Sequence, residues 1–232
     1  MIYSDRLIDY FISMWPTNFY ENSETKTPKY LVIFLHGYGA NGENLLDLSH
    51  EFKRVLPSAH YISPNAIEPW EGGFPDAYQW FSLGSGLHKS SLAAIADSIK
   101  KSNQILENFI DAQLTRFNLT AQNLFIVGFS QGAMMAIYQG LIKPKKVAGV
   151  IAFSGKLILP EMLAQQTNSK PEICLIHGEA DSVVPFENFL EAKKMLAAQN
   201  FSHEAHSFTN LDHTIDINGI RAAQAFIKKI IS

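Results

Sequence analysis

Gly128-Phe129-Ser130-Gln131-Gly132 forms a G-x-S-x-G sequence. It lies between an apolar run, Asn123–Phe129, and a stretch that reads as a helix, Ala133–Ile142. A serine in a tight strand-to-helix turn has its hydroxyl exposed, and the turn needs glycine on both sides because side chains there would collide. The helix that follows aims its N-terminal N–H groups at a reacting carbonyl. A chance Gly/Ser turn is the rival explanation, and the flanking strand and helix argue against it. The chemistry this points to is nucleophilic attack by the Ser130 hydroxyl.

A hydroxyl is a poor nucleophile until a base removes its proton, and histidine titrates in the right range for that work. Four histidines follow Ser130: His177, His203, His206 and His213. His203 and His206 belong to a candidate edge strand, where a solvated side chain is the default. His177 stands at a strand end before the candidate acid. His213, in N-L-D-H-T-I, falls after the last strand and before the last helix, where the base loop of a Ser…Asp…His chain order belongs. The acid must orient the imidazole. Asp181, in H-G-E-A-D-S-V-V-P, follows a buried strand and is favoured over Glu179 and Asp212. Asp212 is adjacent to His213, and neighbouring loop residues usually point apart.

The developing oxyanion needs backbone N–H donors. Gln131, next after the nucleophile, supplies one. Tyr38, in the His36-Gly37-Tyr38-Gly39 turn after an early strand, is the candidate for the second. That same turn, G-Y-G-A-N-G, also matches the dinucleotide fingerprint G-x-G-x-x-G, so a nicotinamide-dependent oxidoreductase is a competing reading. The fingerprint needs an acidic residue at the end of the next strand, and Tyr61-Ile62-Ser63-Pro64-Asn65 has none. No metal set is expected: His203-Glu204-Ala205-His206 is one residue short of H-E-x-x-H, and positions three apart on a strand face opposite ways.

These residues need a frame that brings them to one place. Tyr30–Leu35 is an apolar run suited to a strand buried on both faces, and further strands are expected at His60–Ser63, Asn123–Phe129, Val147–Phe153, Ile173–Ile176 and Glu204–Phe208. Helices are expected at about Asn44–Leu56, Ser91–Phe117, Ala133–Ile142, Phe186–Gln199 and Ile217–Ile231, with Asn118 as a stop. The alternation predicts an α/β fold, a mainly parallel central sheet with helices on both faces, as one domain over residues 1–232. Ligands bind at the carboxyl ends of such strands, where all the residues above fall. Glu21–Lys29 reads as a loop. Pro64–Lys89 is rich in Pro and Gly yet carries Trp70, Phe74, Tyr78, Trp80 and Phe81, so it reads as a functional cover.

Composition excludes several classes. The chain has 232 residues, 47% hydrophobic and 18% charged, with net charge −3. That is the balance of a globular protein, without the basic face of a nucleic-acid binder. The short Lys143, Lys145, Lys146 cluster reads as a helix end and its loop. The single Cys174 lies in an apolar run and reads as a small buried hydrophobe, which fits a reducing, cytoplasmic setting. Asp5, Arg6 and Asp9 interrupt the start of the chain, so no secretory signal is expected, and no apolar run is long enough to span a membrane.

As a set, L-H-G-Y-G-A-N-G, G-F-S-Q-G-A-M-M-A, S-G-K-L, H-G-E-A-D-S-V-V-P and D-H-T-I resemble the carboxylesterase, lysophospholipase and acyl-protein thioesterase family of α/β hydrolases, from about Tyr30 to the C-terminus. The resemblance implies catalytic Ser130, Asp181 and His213, with oxyanion donors at Tyr38 and Gln131. It also implies an α/β-hydrolase fold without a large cap domain, and no cofactor. Trp80, Phe81 and Leu83 are the substrate-binding candidates by analogy. The implied substrates are small-molecule or lipid esters or an acylated protein, and a homodimer is compatible with the family. The chain departs from the family pattern at Tyr38, often Leu; at Asp212, often Gly; and in Gln79-Trp80-Phe81-Ser82, often S-W-F-D. A catalytically inactive binding module on the same fold is the remaining alternative; the intact Ser, Asp, His and glycine set argues against it. No role is assigned to residues 1–29.

Overall fold

The apolar runs become neighbouring strands of one sheet. The computed structural model describes residues 18–84, 91–160 and 169–232. In chain order the elements are β1 (Phe19–Ser23), β2 (Tyr30–Leu35), α1 (Gly42–Leu46), α2 (Leu48–Phe52), β3 (Ala59–Pro64), β4 (Glu68–Pro69), β5 (Tyr78–Gln79), α3 (Leu92–Arg116), β6 (Leu124–Phe129), α4 (Gln131–Ile142), β7 (Gly149–Phe153), β8 (Ile173–Gly178), α5 (Glu187–Ala198), β9 (His203–Phe208) and α6 (Ile217–Ile231).

Among the described residues the main sheet has seven strands in the order β1-β3-β2-β6-β7-β8-β9, and β4 pairs with β5 in a separate two-stranded ladder. Every pairing in the main sheet is parallel except β1 with β3. Parallel strands need helical crossovers, and these cover both faces. Alternate residues of β2 show it: Leu31, Ile33 and Leu35 join a core shared with α3, α4 and α5. Val32 and Phe34 join a second core shared with α1, α2 and α6. The chain leaves β2 toward β3 on one side and leaves β6 toward β7 on the other. The carboxyl ends of β2 and β6 therefore flank a topological switch point, where such sheets open a crevice.

Helix starts follow local chemistry. Ser91 caps α3 by accepting from Ala94 N at 3.2 Å, and Asp216 caps α6 by accepting from Gly219 N at 2.8 Å. Along α3, Ile99, Leu106, Phe109 and Ile110 are buried, the stripe that helical spacing predicts.

Three expectations change. The helix expected over Asn44–Leu56 is two short helices meeting at Asp47, the first capped by Asn41. α4 begins at Gln131, directly after Ser130, two residues before its apolar pattern starts. Part of the segment read as a loop from Glu21 is β1, an antiparallel edge strand. It escapes a hydrophobic pattern because it is polar and half-buried: Glu21 bonds His60 Nε2 at 2.8 Å and Arg116 at 2.8 Å. Residues 1–17, on which the secretory-signal reading rests, and residues 85–89 of the aromatic-rich loop lie outside the described residues. Among the described residues no helix is long and apolar enough to cross a membrane.

Candidate active site

Ser130 stands between β6 and α4 with φ 54° and ψ −119°. A non-glycine residue in that sparsely populated region is strained, by about 1–3 kcal/mol. Packing holds it there. A Cβ on Gly132 would lie 1.9 Å from Leu35 O, and one on Gly128 would lie 2.2 Å from Gly132 O. Gly132 lets the elbow press against the end of β2, and Gly128 lets the elbow close on itself. Ser130 N donates to Phe153 O at 2.9 Å, fixing the turn to β7. The first N–H groups of α4, Gln131 first among them, lack a partner four residues back in the helix.

Asp181 and His213 come together across 32 residues of chain. His213 Nδ1 lies 2.8 Å from Asp181 Oδ2, which fixes a proton on Nδ1 and leaves Nε2 for other work. The Asp181 side chain is buried, and its Oδ1 accepts from Val183 N at 3.0 Å and Val184 N at 2.8 Å. Burial pushes the Asp181 carboxyl up, but the bonds from His213, Val184 and Val183 outweigh it and hold the carboxyl below its ordinary value. The ring of Phe129, next to Ser130, lies 4.8 Å from the His213 ring. The competing acids point elsewhere. Asp212 Oδ1 accepts from Ser182 N, Ser182 Oγ and His213 N, all at 2.8–2.9 Å. Glu179 accepts from Ser207 Oγ at 2.7 Å.

The His36–Ala40 turn after β2 is held from several sides. Gly39 N donates to Tyr78 O at 2.9 Å, and Tyr78 N to Ala40 O at 2.9 Å. Trp80 Nε1 donates to His36 O at 2.9 Å. The buried His36 ring donates from Nδ1 to Gly37 O at 2.7 Å and accepts at Nε2 from Ala66 N at 2.8 Å. Both ring nitrogens are thus committed in the neutral form. Burial pushes its titration down to about 4, against the opposing pull of the Gly37 carbonyl. Tyr38 sends its hydroxyl to Glu71, whose carboxylate also accepts from Ser82 Oγ at 2.7 Å.

The three substrate-binding candidates divide. Leu83 is 48% exposed, whereas Trp80 has no accessible surface and Phe81 is 2% exposed. Trp80 and Phe81 are packed into the core beside α4 instead of lining an open cleft. The Gln131 side chain fastens them: its Oε1 accepts from Trp80 N at 2.8 Å, and its Nε2 donates to Phe81 O at 2.7 Å. Neither this side-chain tether nor the His36 pin was foreseen. The only cue was a polar residue directly after each apolar strand. At the opposite edge of the sheet, a cavity of about 630 Å³ is lined by Lys146, Glu172, Ser202 and Lys229. Its charges are paired, Lys146 with Glu172 at 3.3 Å and Lys229 with Glu204 at 2.8 Å, and it is remote from this chemistry. No group of His, Cys, Asp and Glu suited to a metal occurs among the described residues.

Comparison with known proteins agrees with this architecture. A sequence profile described as Phospholipase/Carboxylesterase matches residues 19–231. Acyl-protein thioesterase 1 homolog 1 of Dictyostelium discoideum is 28% identical over 224 residues, covering 92% of this chain and 96% of that protein. Esterase YpfH of Escherichia coli (strain K12) is 28% identical over 210 residues, covering 89% and 85%. The crystal structure of esterase PE8 superposes with a TM-score of 0.84 at 33% identity, covering 92% of this chain and 98% of that one. The Bacillus cereus carboxylesterase, at 17% identity and a TM-score of 0.75, shares the fold, covering 96% and 99%. Fold and relatives together define an α/β hydrolase acting on ester bonds. The chain belongs to the phospholipase/carboxylesterase family.

Proposed function

We propose that this protein is a serine hydrolase that cleaves carboxylic esters or thioesters with a hydrophobic acyl group through an acyl-enzyme. The observation that carries this reading is the 2.8 Å bond from His213 Nδ1 to the buried Asp181 carboxylate, on the same sheet edge as the strained Ser130. His213 Nε2 takes the Ser130 proton as Oγ attacks the carbonyl carbon. The backbone N–H groups of Tyr38 and Gln131 hold the resulting oxyanion. Collapse breaks the bond to the leaving alkoxide or thiolate, which receives the proton from His213. Water, deprotonated by His213, then attacks the acyl-Ser130 ester, and Ser130 recovers its proton as the acid leaves.

A hydrophobic acyl group fits the exposed Val183, whose N–H bonds Asp181, and the exposed Leu83, whose N–H bonds the Glu71 carboxylate that takes the Tyr38 hydroxyl. The named activities of the thioesterase and esterase relatives support the same substrate class. We assign the acyl wall to Leu83, with Trp80 and Phe81 buried in the core.

The test is Ser130→Ala, assayed on p-nitrophenyl esters from two to sixteen carbons and with a fluorophosphonate probe. Activity should fall at least about a thousandfold while the fold persists, since removing a nucleophile costs several powers of ten. The probe should label wild type once and leave the variant unlabelled. A variant keeping a tenth of wild-type kcat would sink the assignment. Each further methylene that the acyl pocket buries should add about 0.8 kcal/mol, so two should raise kcat/KM roughly tenfold.

A further inference from the structure

We infer that His177 is a positioning residue for the reaction: from the core side, its neutral imidazole pins Val184, whose backbone N–H holds the Asp181 carboxylate in the orientation that His213 uses. The inference rests on the Ser130–His213–Asp181 reading and adds a fourth side chain to it.

His177 lies at the carboxyl end of β8, and its side chain is 1% exposed. It therefore cannot reach a substrate. Its Nε2 is 2.9 Å from Val184 O, and a carbonyl only accepts, so Nε2 carries the proton. The same Nε2 stands 3.3 Å from Asp181 Oδ2, within electrostatic reach, while its hydrogen bond goes to Val184 O. Val184 closes the ring of contacts, since its own N–H donates to Asp181 Oδ1 at 2.8 Å. Asp181 is thus approached by His213 from the solvent side and by His177 from the core. Both meet Oδ2, while Oδ1 is held by the backbone of Val183 and Val184.

His177 must stay uncharged for this arrangement. Burial lowers its titration, which the Val184 carbonyl and Asp181 carboxylate only partly offset. α5 and the turn before it present rings and not charges to His177: Phe186 at 6.2 Å and Phe189 at 5.8 Å between centroids. The titratable groups near the His177–Asp181–His213 line are those three and Asp212, which bonds the His213 backbone N–H at 2.8 Å.

Two consequences distinguish positioning from simple packing. The His177–Val184 bond steadies the backbone whose N–H holds Asp181 Oδ1, so its loss lowers kcat. The ring N–H dipole also stands near Oδ2, so its removal leaves more negative charge for the His213 imidazolium. The acid limb of the pH–rate profile then moves to higher pH.

The experiment compares His177→Phe, which fills the space without a donor, with His177→Gln, whose amide can donate near the Nε2 position. Phe should lower kcat about tenfold, the size of one buried hydrogen bond left unmade, with KM changed by less than about twofold. Its acid limb should move up by on the order of half a pH unit. Gln should restore both quantities toward wild type. Equal losses in Phe and Gln, or an unmoved limb in Phe, would overturn the inference. Nitrogen-15 NMR of the wild-type protein needs no variant: His177 should be a neutral Nε2–H ring at neutral pH, and an Nδ1–H or doubly protonated ring would also overturn it. Asp181→Asn is measured alongside. If it keeps wild-type activity, the triad reading itself fails. If it is inactive while His177→Phe matches wild type in rate and profile, only the role of His177 fails.

Discussion

At the residue scale the site is a set of protonation states fixed by neighbours. His36 shows how strongly. Its Nδ1–H is given to Gly37 O and its Nε2 lone pair to Ala66 N–H, so a second proton would have to displace the Ala66 bond. Its titration in the fold lies at about 4 against an ordinary 6.5. The unfolded chain therefore binds this proton first as pH falls. The His36 contribution is fully present above pH 6.5 and is lost between 6.5 and 4, by about 3 kcal/mol. His36→Asn should be less stable than wild type at pH 8 but should lose less on acidification. Urea unfolding across this range checks it, and parallel wild-type and variant slopes would refute it. The proposed set of Ser130, Asp181 and His213 could be picked out because such chemistry demands those side chains just after apolar runs. The buried histidines were not, because a histidine in a sequence does not announce which carbonyl it will meet. Asp181 could be favoured over Asp212 only by its place after a strand. In the fold the reason is geometric: Asp212 turns to the Ser182 hydroxyl and backbone and to the His213 backbone, away from the ring.

At the element scale, the aromatic segment after β3 is a brace between the two halves of the site. Trp80 Nε1 holds the His36 carbonyl of the turn after β2, while Gln131 at the start of α4 holds the backbone at Trp80 and Phe81. Tyr78 adds a bridge to Ala40, and Glu71 ties Tyr38 to Ser82. The sequence marked the segment as a cover from its density of aromatics among prolines and glycines, but it favoured a substrate-facing role for Trp80. Large rings in a segment whose own ladder is only two residues long serve as anchors, and periodicity carries no information on which way they turn. Trp80→Phe keeps most of the buried ring and removes the donor to His36 O. It should cost about 1–3 kcal/mol, because a buried carbonyl loses its partner. A thermal melt should show the loss while the acyl chain-length profile stays that of wild type. A changed profile at unchanged Tm would put Trp80 against the substrate after all.

At the scale of the whole molecule, the sheet order places the Ser130 turn and the His36–Ala40 turn on adjacent strands from which the chain departs in opposite directions. Alternating apolar strands and amphipathic helices made this parallel sheet legible. β1 was not, since an edge strand buries too little to leave an apolar signature, and its Phe19 packs on Phe109 of α3 from a segment otherwise polar. The fold is also the agent that keeps Ser130 at φ 54°. Glycine adopts that backbone without strain, so Ser130→Gly should relieve about 1–3 kcal/mol, less about 0.5–1 for the added freedom of the unfolded chain. The expected net is a gain on the order of 1 kcal/mol and a higher melting temperature in a protein that no longer turns over ester. Calorimetry of Ser130→Gly beside Ser130→Ala, which keeps the strain, measures it; equal melting temperatures would contradict it. Selection for durability alone would then erase the proposed nucleophile, and activity and robustness pull in opposite directions at a single backbone angle.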